Sequence, residues 1–392
     1  MNYFNDQTKK TSEPWNISFR ERIKIIREKN LKKKVVYIYE EADTSTFRYR
    51  VYNMCQSLNY SSSWTGSYFF ENELKLLKEY IPDVDVFIFG RTRWSVEIDK
   101  FIQYVKKYNK PTLFDIDDLV FDIEKLPIVM NTLNVDFNHP NSYNYWFSYS
   151  SRLWLMGNLC DATIGTNDYL CQRLENTFNK KSFAINNFLN NEQIIISEKI
   201  YKEKIKIKPN KKFTIGYFSG TPSHINDFKI VASEIANLLK KYPNFNLHVV
   251  GFMDFPDFLQ PYIKNKQIIH SPLVDFLTLQ KKISEADVNI IPLVDNEFTN
   301  CKSELKFFEA TIVGTISCAT PTYVYKNNIQ NGETGFICKE GDWQKTIENI
   351  YKEKINDEII DKAKKYCLNK YSPEKQVSNI ENMLEQIINN KF

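Results

Sequence analysis

The feature that most constrains the fold is an alternation of short apolar runs with amphipathic segments, which recurs along nearly the whole chain. In the first half, segments of helical periodicity separate the runs KVVYIYEE, VDVFIFGR and PTLFDID. In the second half, similar segments follow FTIGYFSG and QIIHSPLV, and the runs FNLHVVGF and DVNIIPLV come next after each of them. Apolar strands that alternate with helices are typical of parallel sheets covered on both faces. The sequence therefore predicts an α/β fold with one such sheet in each half.

A polar, lysine-rich stretch separates the two halves, and 392 residues are too many for a single hydrophobic core. We predict two Rossmann-like domains that face each other across a cleft, where ligands bind at the carboxyl ends of the strands. The predicted segments are a basic extension (1–33), a first domain (34–190), a linker (191–212), a second domain (213–371) and a C-terminal amphipathic helix (372–392).

Positive charge is concentrated near the N-terminus. The chain has a net charge of +4, and Phe19–Lys34 contributes +6 of it, from eight Lys/Arg against two Glu. Phe19, Ile23 and Ile26 share one helical face, so this segment is either a helix packed on the domain or a basic patch for an anionic membrane surface. The net charge of the remaining residues is −2, which disfavours a nucleic-acid partner.

The cysteines and histidines give no sign of a metal centre. Seven scattered cysteines without a Cys-x-x-Cys pair indicate reduced thiols, and the four histidines lack the spacing of metal ligands. The N-terminus has no apolar core of a signal peptide, and no apolar run is long enough to span a membrane. We expect a cytoplasmic protein, peripheral at most at the inner face of the membrane, with no metal and no cofactor.

A loop of small residues after FTIGYFS is a candidate anion site. Gly220, Thr221, Ser223 and His224 lead into a predicted helix, whose first backbone N–H groups and positive dipole end suit a phosphate. An uncharged tight turn would explain the same residues. Neither the dinucleotide pattern Gly-x-Gly-x-x-Gly nor the Walker phosphate loop is present, so NAD and ATP are not expected.

The segment NEFTNCKSELKFFEATIVGT follows the apolar run VNIIPLV and gathers charge at one end of a predicted helix. A helix beginning at Ser303 puts Lys302, Lys306 and Glu309 on one stripe, although two lysines four residues apart repel each other. In a parallel sheet this segment opens on the same cleft as the loop at Gly220. We predict that both lysines face a diphosphate and that Glu309 accepts hydrogen bonds from ligand hydroxyls; the alternative is a surface Lys–Glu stripe.

Two segments of the first half also place polar side chains at strand ends. Asp117 and Asp118 follow the run PTLFDI and are candidates for contacting acceptor hydroxyls or acting as a base; helix capping, turn formation and metal binding are the alternatives. Arg48 and Arg50 follow the first strand and are candidates for binding a phosphate. The alternative for these arginines is a solvated helix face.

The segments IGYFSGTPSHINDF, ADVNIIPLVDNEFTNCKSELKFFEATIVGT and NGETGFICK resemble the nucleotide-sugar-binding domain of family-four-like retaining glycosyltransferases of GT-B fold. VDVFIFGR, KPTLFDIDDLVF and CDATIGTNDYLCQRL resemble their acceptor domain. The similarity runs from residue 34 to the C-terminus and is greatest to enzymes of bacterial surface polysaccharides. It implies metal-independent transfer from a nucleoside-diphosphate sugar to a glycan, lipid-linked or protein glycoconjugate acceptor. It also implies that the C-terminal helix returns to the first domain.

The resemblance also suggests residue roles, with two departures. The second carboxylate of the family's Glu-x7-Glu motif falls on Glu309, where it implies binding of the donor ribose. The first falls on Cys301, so Glu304 becomes the candidate replacement and joins Asp117 and Asp118 as a catalytic candidate. The family's basic pair after the first strand of this domain is absent. These departures leave two alternatives open: a non-catalytic partner of another transferase, and an epimerase or hydrolase of the same fold.

Overall fold

The computed structural model describes residues 13–28, 31–206, 212–220, 224–353 and 357–389. The strands are β1 (Lys33–Tyr39), β2 (Trp64–Phe70), β3 (Val86–Gly90), β4 (Thr112–Asp115), β5 (Ala162–Gly165), β6 (Ser182–Ala184), β7 (Phe213–Ser219), β8 (Phe245–Gly251), β9 (Ile268–Ser271), β10 (Val288–Ile291), β11 (Ile316–Ala319) and β12 (Phe336–Ile337).

The helices of the first half are α1 (Phe19–Arg27), α2 (Asn53–Leu58), α3 (Leu74–Leu77), α4 (Val96–Lys107), α5 (Leu126–Thr132), α6 (Pro140–Leu159), α7 (Asp168–Phe178) and α8 (Asn191–Lys204). Those of the second half are α9 (His224–Lys241), α10 (Gln260–Lys264), α11 (Phe276–Ser284), α12 (Glu297–Asn300), α13 (Leu305–Thr311), α14 (Tyr323–Asn328), α15 (Trp343–Glu353), α16 (Asp357–Tyr371) and α17 (Pro373–Ile388). A π-helical turn (Arg48–Tyr52) precedes α2, and a 3-10 turn (Ile123–Lys125) precedes α5.

Each half of the chain forms one parallel sheet of six strands. The first sheet has the order β2-β1-β3-β4-β5-β6, and the second has the order β12-β11-β10-β7-β8-β9. The strand order reverses between β1 and β3 in the first sheet, and between β7 and β10 in the second. Ligands of open α/β sheets bind at the carboxyl ends of the strands beside such a reversal. The predicted α/β fold with two Rossmann-like domains is therefore confirmed.

The strands are apolar because helices cover both faces of each sheet. Every residue of β3 and of β8 is buried, which accounts for the continuous apolar runs of the sequence. One strand, β2, was missed by the sequence analysis. It is an edge strand in which Thr65, Gly66 and Ser67 interrupt the apolar pattern, and it is covered by α1 and α2.

The C-terminal helix α17 packs on the first domain, as the resemblance implied. Glu385 forms an ion pair with Lys33 at 2.7 Å and accepts a hydrogen bond from the Trp64 indole at 2.8 Å. The Ser57 hydroxyl donates to the carbonyl of Pro373 at 2.6 Å. The chain therefore enters the second domain through α8 and comes back through α17. The segment predicted as a linker contains α8, a capped helix that buries Ile200.

The basic N-terminal helix α1 packs on the first domain. Ile23 and Ile26 are buried, and Arg22, also buried, pairs with Glu73 at 2.6 Å. Arg20, Lys24 and Arg27 are exposed on the outer face. In the part of the chain that the structure describes, no helix combines the length and the apolar character needed to cross a bilayer.

Candidate functional site

The candidate site lies where β7 and β10, the strands at the reversal of the second sheet, end side by side. Val288 pairs with Ile215, so the loops that follow the two strands open at the same edge. Gly220, directly after β7, is exposed and has open space around its α-carbon. Thr221 and Ser223 lie outside the described residues, as does the side chain of His224. Their predicted roles in donor binding stay predictions.

The charged segment after β10 folds differently from the expected single helix. The short α12 begins at an Asn296 cap, whose side chain accepts a hydrogen bond from the Thr299 N–H at 2.9 Å. A turn follows, and α13 begins only at Leu305. Asn167 of the first domain holds the turn by donating to the carbonyls of Cys301 and Lys302. The predicted helix start at Ser303 is therefore wrong, because side chains of the other domain bind the carbonyls of this turn.

Lys302 and Lys306 nevertheless lie at the same end of the second sheet. The Lys302 ammonium is 3.5 Å from Asp118 of the first domain and 4.5 Å from the Phe298 ring centroid. The Lys306 ammonium is 5.6 Å from the Tyr217 ring centroid and forms no hydrogen bond or ion pair with the described residues. Burial lowers the pKa of Lys306 to about 8. The negative charge of Asp227 raises this pKa, and the positive charge of Lys302 lowers it further. Among the residues that the structure describes, this half-buried cation has no close counter-ion, which is unusual for such a group.

Two carboxylates of the first domain contact Arg91, and one of them, Asp118, also pairs with Lys302. Asp117 accepts hydrogen bonds from the Thr46 hydroxyl and from Arg91, both at 2.9 Å, and Asp118 is 3.5 Å from Arg91. Burial alone would raise the pKa of Asp117, but the charge of Arg91 and the Thr46 hydroxyl outweigh it and lower the pKa. Arg91 is itself in the left-handed region at φ 42°, an unfavourable conformation for arginine that recurs at functional sites.

Glu309 lies in a buried contact between the domains. It is 4% exposed, and its Oε1 accepts hydrogen bonds from the Tyr49 hydroxyl, Gln193 at 3.2 Å and Arg48 at 3.4 Å. Two of these partners belong to the first domain and the third to α8. The predicted binding of ribose hydroxyls stays a prediction; in this conformation all three donors contact Oε1.

The expectation that Arg50 binds a phosphate is wrong. Arg50 is fully buried and pairs with Asp115 through two nitrogens, at 2.8 and 3.0 Å, while its third nitrogen donates to the carbonyl of Ile185. Arg48 is 4% exposed and stacks on the rings of Tyr49 and Phe276, so it is not on a solvated helix face either. Its Nη1 has no partner among the described residues. Both arginines hold structure together at the places where the sequence suggested ligand contacts.

Glu304 and Ser303 also take part in contacts between the domains. Glu304 is fully buried, and its Oε1 accepts hydrogen bonds from the Tyr371 hydroxyl at 2.8 Å and from Asn186 at 3.3 Å. Burial raises its pKa. The Ser303 hydroxyl accepts a hydrogen bond from Asn187 at 2.9 Å. The catalytic role of Glu304 and the donor contact of Ser303 stay predictions, and neither is favoured by this packing.

Sequence reasoning missed the residues that orient the charged groups. Arg91 connects both carboxylates, and Asp227, 2% exposed, accepts a hydrogen bond from the Val294 N–H beside the lysines. The available signal for Arg91 was its place directly after a buried strand at the reversal of the sheet. No such signal marks Thr46 or Asn167, because their partners are far away in sequence. Among the described residues, no cluster of three or more His, Cys, Asp or Glu suits a metal ion.

The arrangement can bind a ligand that is anionic at one end and rich in hydroxyls at the other. Two ammonium groups at one end can attract a diphosphate. The opposing carboxylates, held in place by Arg91 and Thr46, can accept hydrogen bonds from hydroxyl groups.

No protein-family model and no curated protein sequence matches this chain. Its fold is similar to solved glycosyltransferase structures. A Rickettsia africae glycosyltransferase is 16% identical, with a TM-score of 0.59 over 92% of this chain and 100% of that one. Sucrose-phosphate synthase of Thermosynechococcus elongatus is 12% identical, with the same TM-score and coverage. Anabaena HepE, solved with UDP and also with UDP-glucose, is 11% identical in its UDP complex, with a TM-score of 0.57 over 90% of this chain and 100% of that one. The chain therefore has the fold of the GT-B glycosyltransferases, in which two Rossmann-like domains face each other across a cleft.

Proposed function

We propose that the protein is a glycosyltransferase that moves a sugar, a hexose or deoxyhexose, from a nucleoside-diphosphate sugar to a surface glycan or glycoconjugate. The observation that carries the proposal is the half-buried Lys306, which has no ion-pair partner among the described residues and lies beside Lys302 at the reversal of the second sheet. Retention of configuration rests on the resemblance to family-four-like enzymes. The UDP and UDP-glucose complexes of HepE support a UDP-sugar as the first donor to test.

In this proposal the chemistry is mainly electrostatic. Negative charge develops on the leaving diphosphate, and prearranged ammonium groups and N–H donors stabilise it. Lys302 would exchange Asp118 for the diphosphate, which frees Asp118 to contact an acceptor hydroxyl. Asp117, kept ionised by Arg91, is the second acceptor-side carboxylate. Approach of the domains would exclude water, whose attack would hydrolyse the donor.

The proposal requires no essential metal, because two lysines can supply the positive charge that a divalent ion supplies elsewhere. Excess EDTA should leave the transfer rate within about twofold of its value without chelator, and a loss that Mn²⁺ or Mg²⁺ restores would refute this part. We also propose peripheral association with the inner face of the membrane through the exposed Arg20, Lys24 and Arg27. Sedimentation with phosphatidylglycerol vesicles tests it, with the triple Glu variant as control.

A second candidate function is supported by one specific observation. The position of the first motif carboxylate is Cys301, and its neighbour Glu304 is fully buried against Tyr371. A chain without that carboxylate would suit a non-catalytic partner that keeps the fold and assists another transferase.

A donor screen followed by a turnover assay tests the proposed function. We expect a UDP-sugar, among UDP-, GDP- and dTDP-sugars, to raise the unfolding temperature, because a ligand bound only by the native state stabilises it. Release of nucleotide should then require an acceptor glycan. Release at full rate without acceptor would indicate a hydrolase or epimerase. No turnover, together with stable co-purification of another transferase, would favour the partner subunit.

A further inference from the structure

A pocket lined by residues of the first domain has the composition of a carbohydrate subsite. Its volume is about 600 Å³, and its lining includes an aromatic ring, two carboxylates, an amide, a hydroxyl and two cations. The side chains that matter here are Asp122, Glu124, Lys125, Trp154, Arg173 and Asn176. They come from the 3-10 turn before α5, from α6 and from α7.

The lining of this pocket matches the surface of a sugar ring. A pyranose has an apolar C–H face that packs on an aromatic ring, and hydroxyls around its edge that pair with carboxylates, amides and guanidinium groups. Trp154 is 36% exposed and supplies the ring. Asp122, Glu124 and Asn176 supply hydrogen-bonding groups. The guanidinium of Arg173 donates to the Tyr169 hydroxyl at 3.2 Å, and its Nε has no partner among the described residues.

The pocket adjoins the junction between the two domains. Lys125 and Arg173, both of which line it, contact Glu297 at 2.8 and 3.5 Å. Glu297 is the first residue of α12, the helix between β10 and Lys302. A ligand in this pocket therefore lies beside the candidate donor-binding segment while remaining on the first domain.

An aromatic stripe on α6 extends the pocket. Tyr143, Phe147 and Trp154 share one face of this helix, spaced four and seven residues apart, and cover about 17 Å of its axis. Phe147 is 47% exposed, and its ring stacks on Tyr143 with centroids 6.4 Å apart. Arg152 is the only charged residue of the twenty in α6. Exposed rings on one face of a helix are uncommon on soluble surfaces and mark binding sites.

We propose that this pocket and the α6 stripe together form a subsite for the acceptor glycan, which they bind through sugar units beyond the one that reacts. The inference rests on the proposed function, since it is the acceptor of that reaction that occupies the subsite. An oligosaccharide fits better than a bilayer surface, because Asp122 and Glu124 would repel anionic headgroups and α6 has no basic cluster to attract them. The subsite would favour long acceptors over short ones.

Binding of the full chain to an array of bacterial oligosaccharides of two to six sugar units tests the subsite. We expect the wild type to bind longer oligosaccharides, and Trp154→Ala to weaken that binding at least about tenfold. Asn176→Ala is a second, milder variant, expected to weaken binding about threefold. Tyr108→Ala is the matched control, because Tyr108 is a 50% exposed ring at the end of α4, outside the pocket and the stripe.

The readouts separate failure of the subsite from failure of the proposed function. UDP-induced thermal stabilisation should be unchanged in Trp154→Ala, and its KM for a long acceptor should rise while kcat stays within about twofold. Equal glycan binding by wild type and both pocket variants, or no glycan bound by the wild type, would overturn the subsite even if transfer occurs. So would loss of vesicle binding, rather than glycan binding, in Trp154→Ala. Glycan binding that depends on Trp154 without any sugar transfer would support a glycan site and reject the proposed transferase.

Discussion

Two parts of the junction between the domains differ in how completely their charges are paired. Around Glu309, a buried carboxylate is surrounded by Arg48, Tyr49 and Gln193. Around Lys306, a half-buried ammonium has no ion-pair partner among the described residues. The first region is a structural contact between the domains, and the second is where we propose that the diphosphate binds. The two regions therefore differ in whether a buried charge has a partner of opposite charge among the described residues.

The largest effect is expected on stability when the buried carboxylate of Glu309 is removed. Glu309→Ala should lower the free energy of unfolding by about 3–5 kcal/mol, because it leaves Arg48 buried without its counter-ion. Urea unfolding checks this. Glu348→Ala is the control, since it removes a carboxylate whose partner Lys241 is 52% exposed, and should cost about 1 kcal/mol or less. Equal losses in both variants would show that the Glu309 region is not a structural contact.

The next largest effect is expected on UDP affinity when both lysines near β10 are removed. Lys302→Ala with Lys306→Ala should weaken UDP binding by about 2–4 kcal/mol, roughly 30- to 1000-fold, because charge-assisted hydrogen bonds to the diphosphate are lost. Titration calorimetry measures it. Lys241→Ala with Lys352→Ala removes the same charge from the surface around Glu348 and should leave the affinity unchanged. Unchanged affinity in the first double variant would place the nucleotide elsewhere.

The lowered pKa of Lys306 makes a smaller, pH-dependent prediction. The free protein loses the Lys306 proton near pH 8, whereas UDP binding requires the charged form. UDP affinity should therefore fall about tenfold per pH unit above pH 8, until the raised pKa of the bound complex is reached. Lys306→Arg should abolish the decline, because arginine stays charged. A decline of equal slope in both proteins would assign the titration to another group.

The lowered pKa of Lys306 also predicts that stability rises with pH, whereas UDP affinity falls. Its folded pKa lies below the ordinary lysine value, so the unfolded chain binds more protons between pH 8 and about 10.5. Lys306 should therefore make the ligand-free protein more stable, relative to Lys306→Arg, as pH rises through that window. Unfolding midpoints at pH 7.5 and 9.5 test the sign, and a relative loss of stability would contradict the burial of this ammonium.

The smallest expected effect sharpens the contrast between the regions. Tyr49→Phe removes one of three donors to Glu309 and should lower the unfolding free energy by about 0.5–1.5 kcal/mol without changing UDP affinity. Urea unfolding and calorimetry on the same samples test both parts. A clear loss of UDP affinity would show that the two regions act as one site.

The sequence predicts the sheets well and the buried charges poorly, for a physical reason. Strands such as β3 and β8 are buried on both faces, so their apolar runs identify them directly, whereas small and polar residues interrupt the run of the edge strand β2. The lysines could be placed after β10 because charge that follows a buried strand is visible in the sequence; their contact with a diphosphate stays a prediction.

The roles of Arg50 and Glu309 were not predictable in the same way. Glu309 meets its partner Arg48 across 261 residues, and Arg50 meets Asp115 across 65. A local pattern shows that a charge is present but not whether a distant side chain neutralises it. Arg50 was therefore assigned to a ligand that its fully buried guanidinium cannot reach.

The proposed function depends on a diphosphate that binds beside Lys306 and Lys302, between the domains. A crystal structure of the wild-type protein with UDP tests it most directly. We predict diphosphate oxygens about 2.7–2.9 Å from the Lys306 ammonium, with Lys302 moved from Asp118 towards the ligand. A nucleotide bound at another place, with Lys302 still on Asp118, would contradict the account.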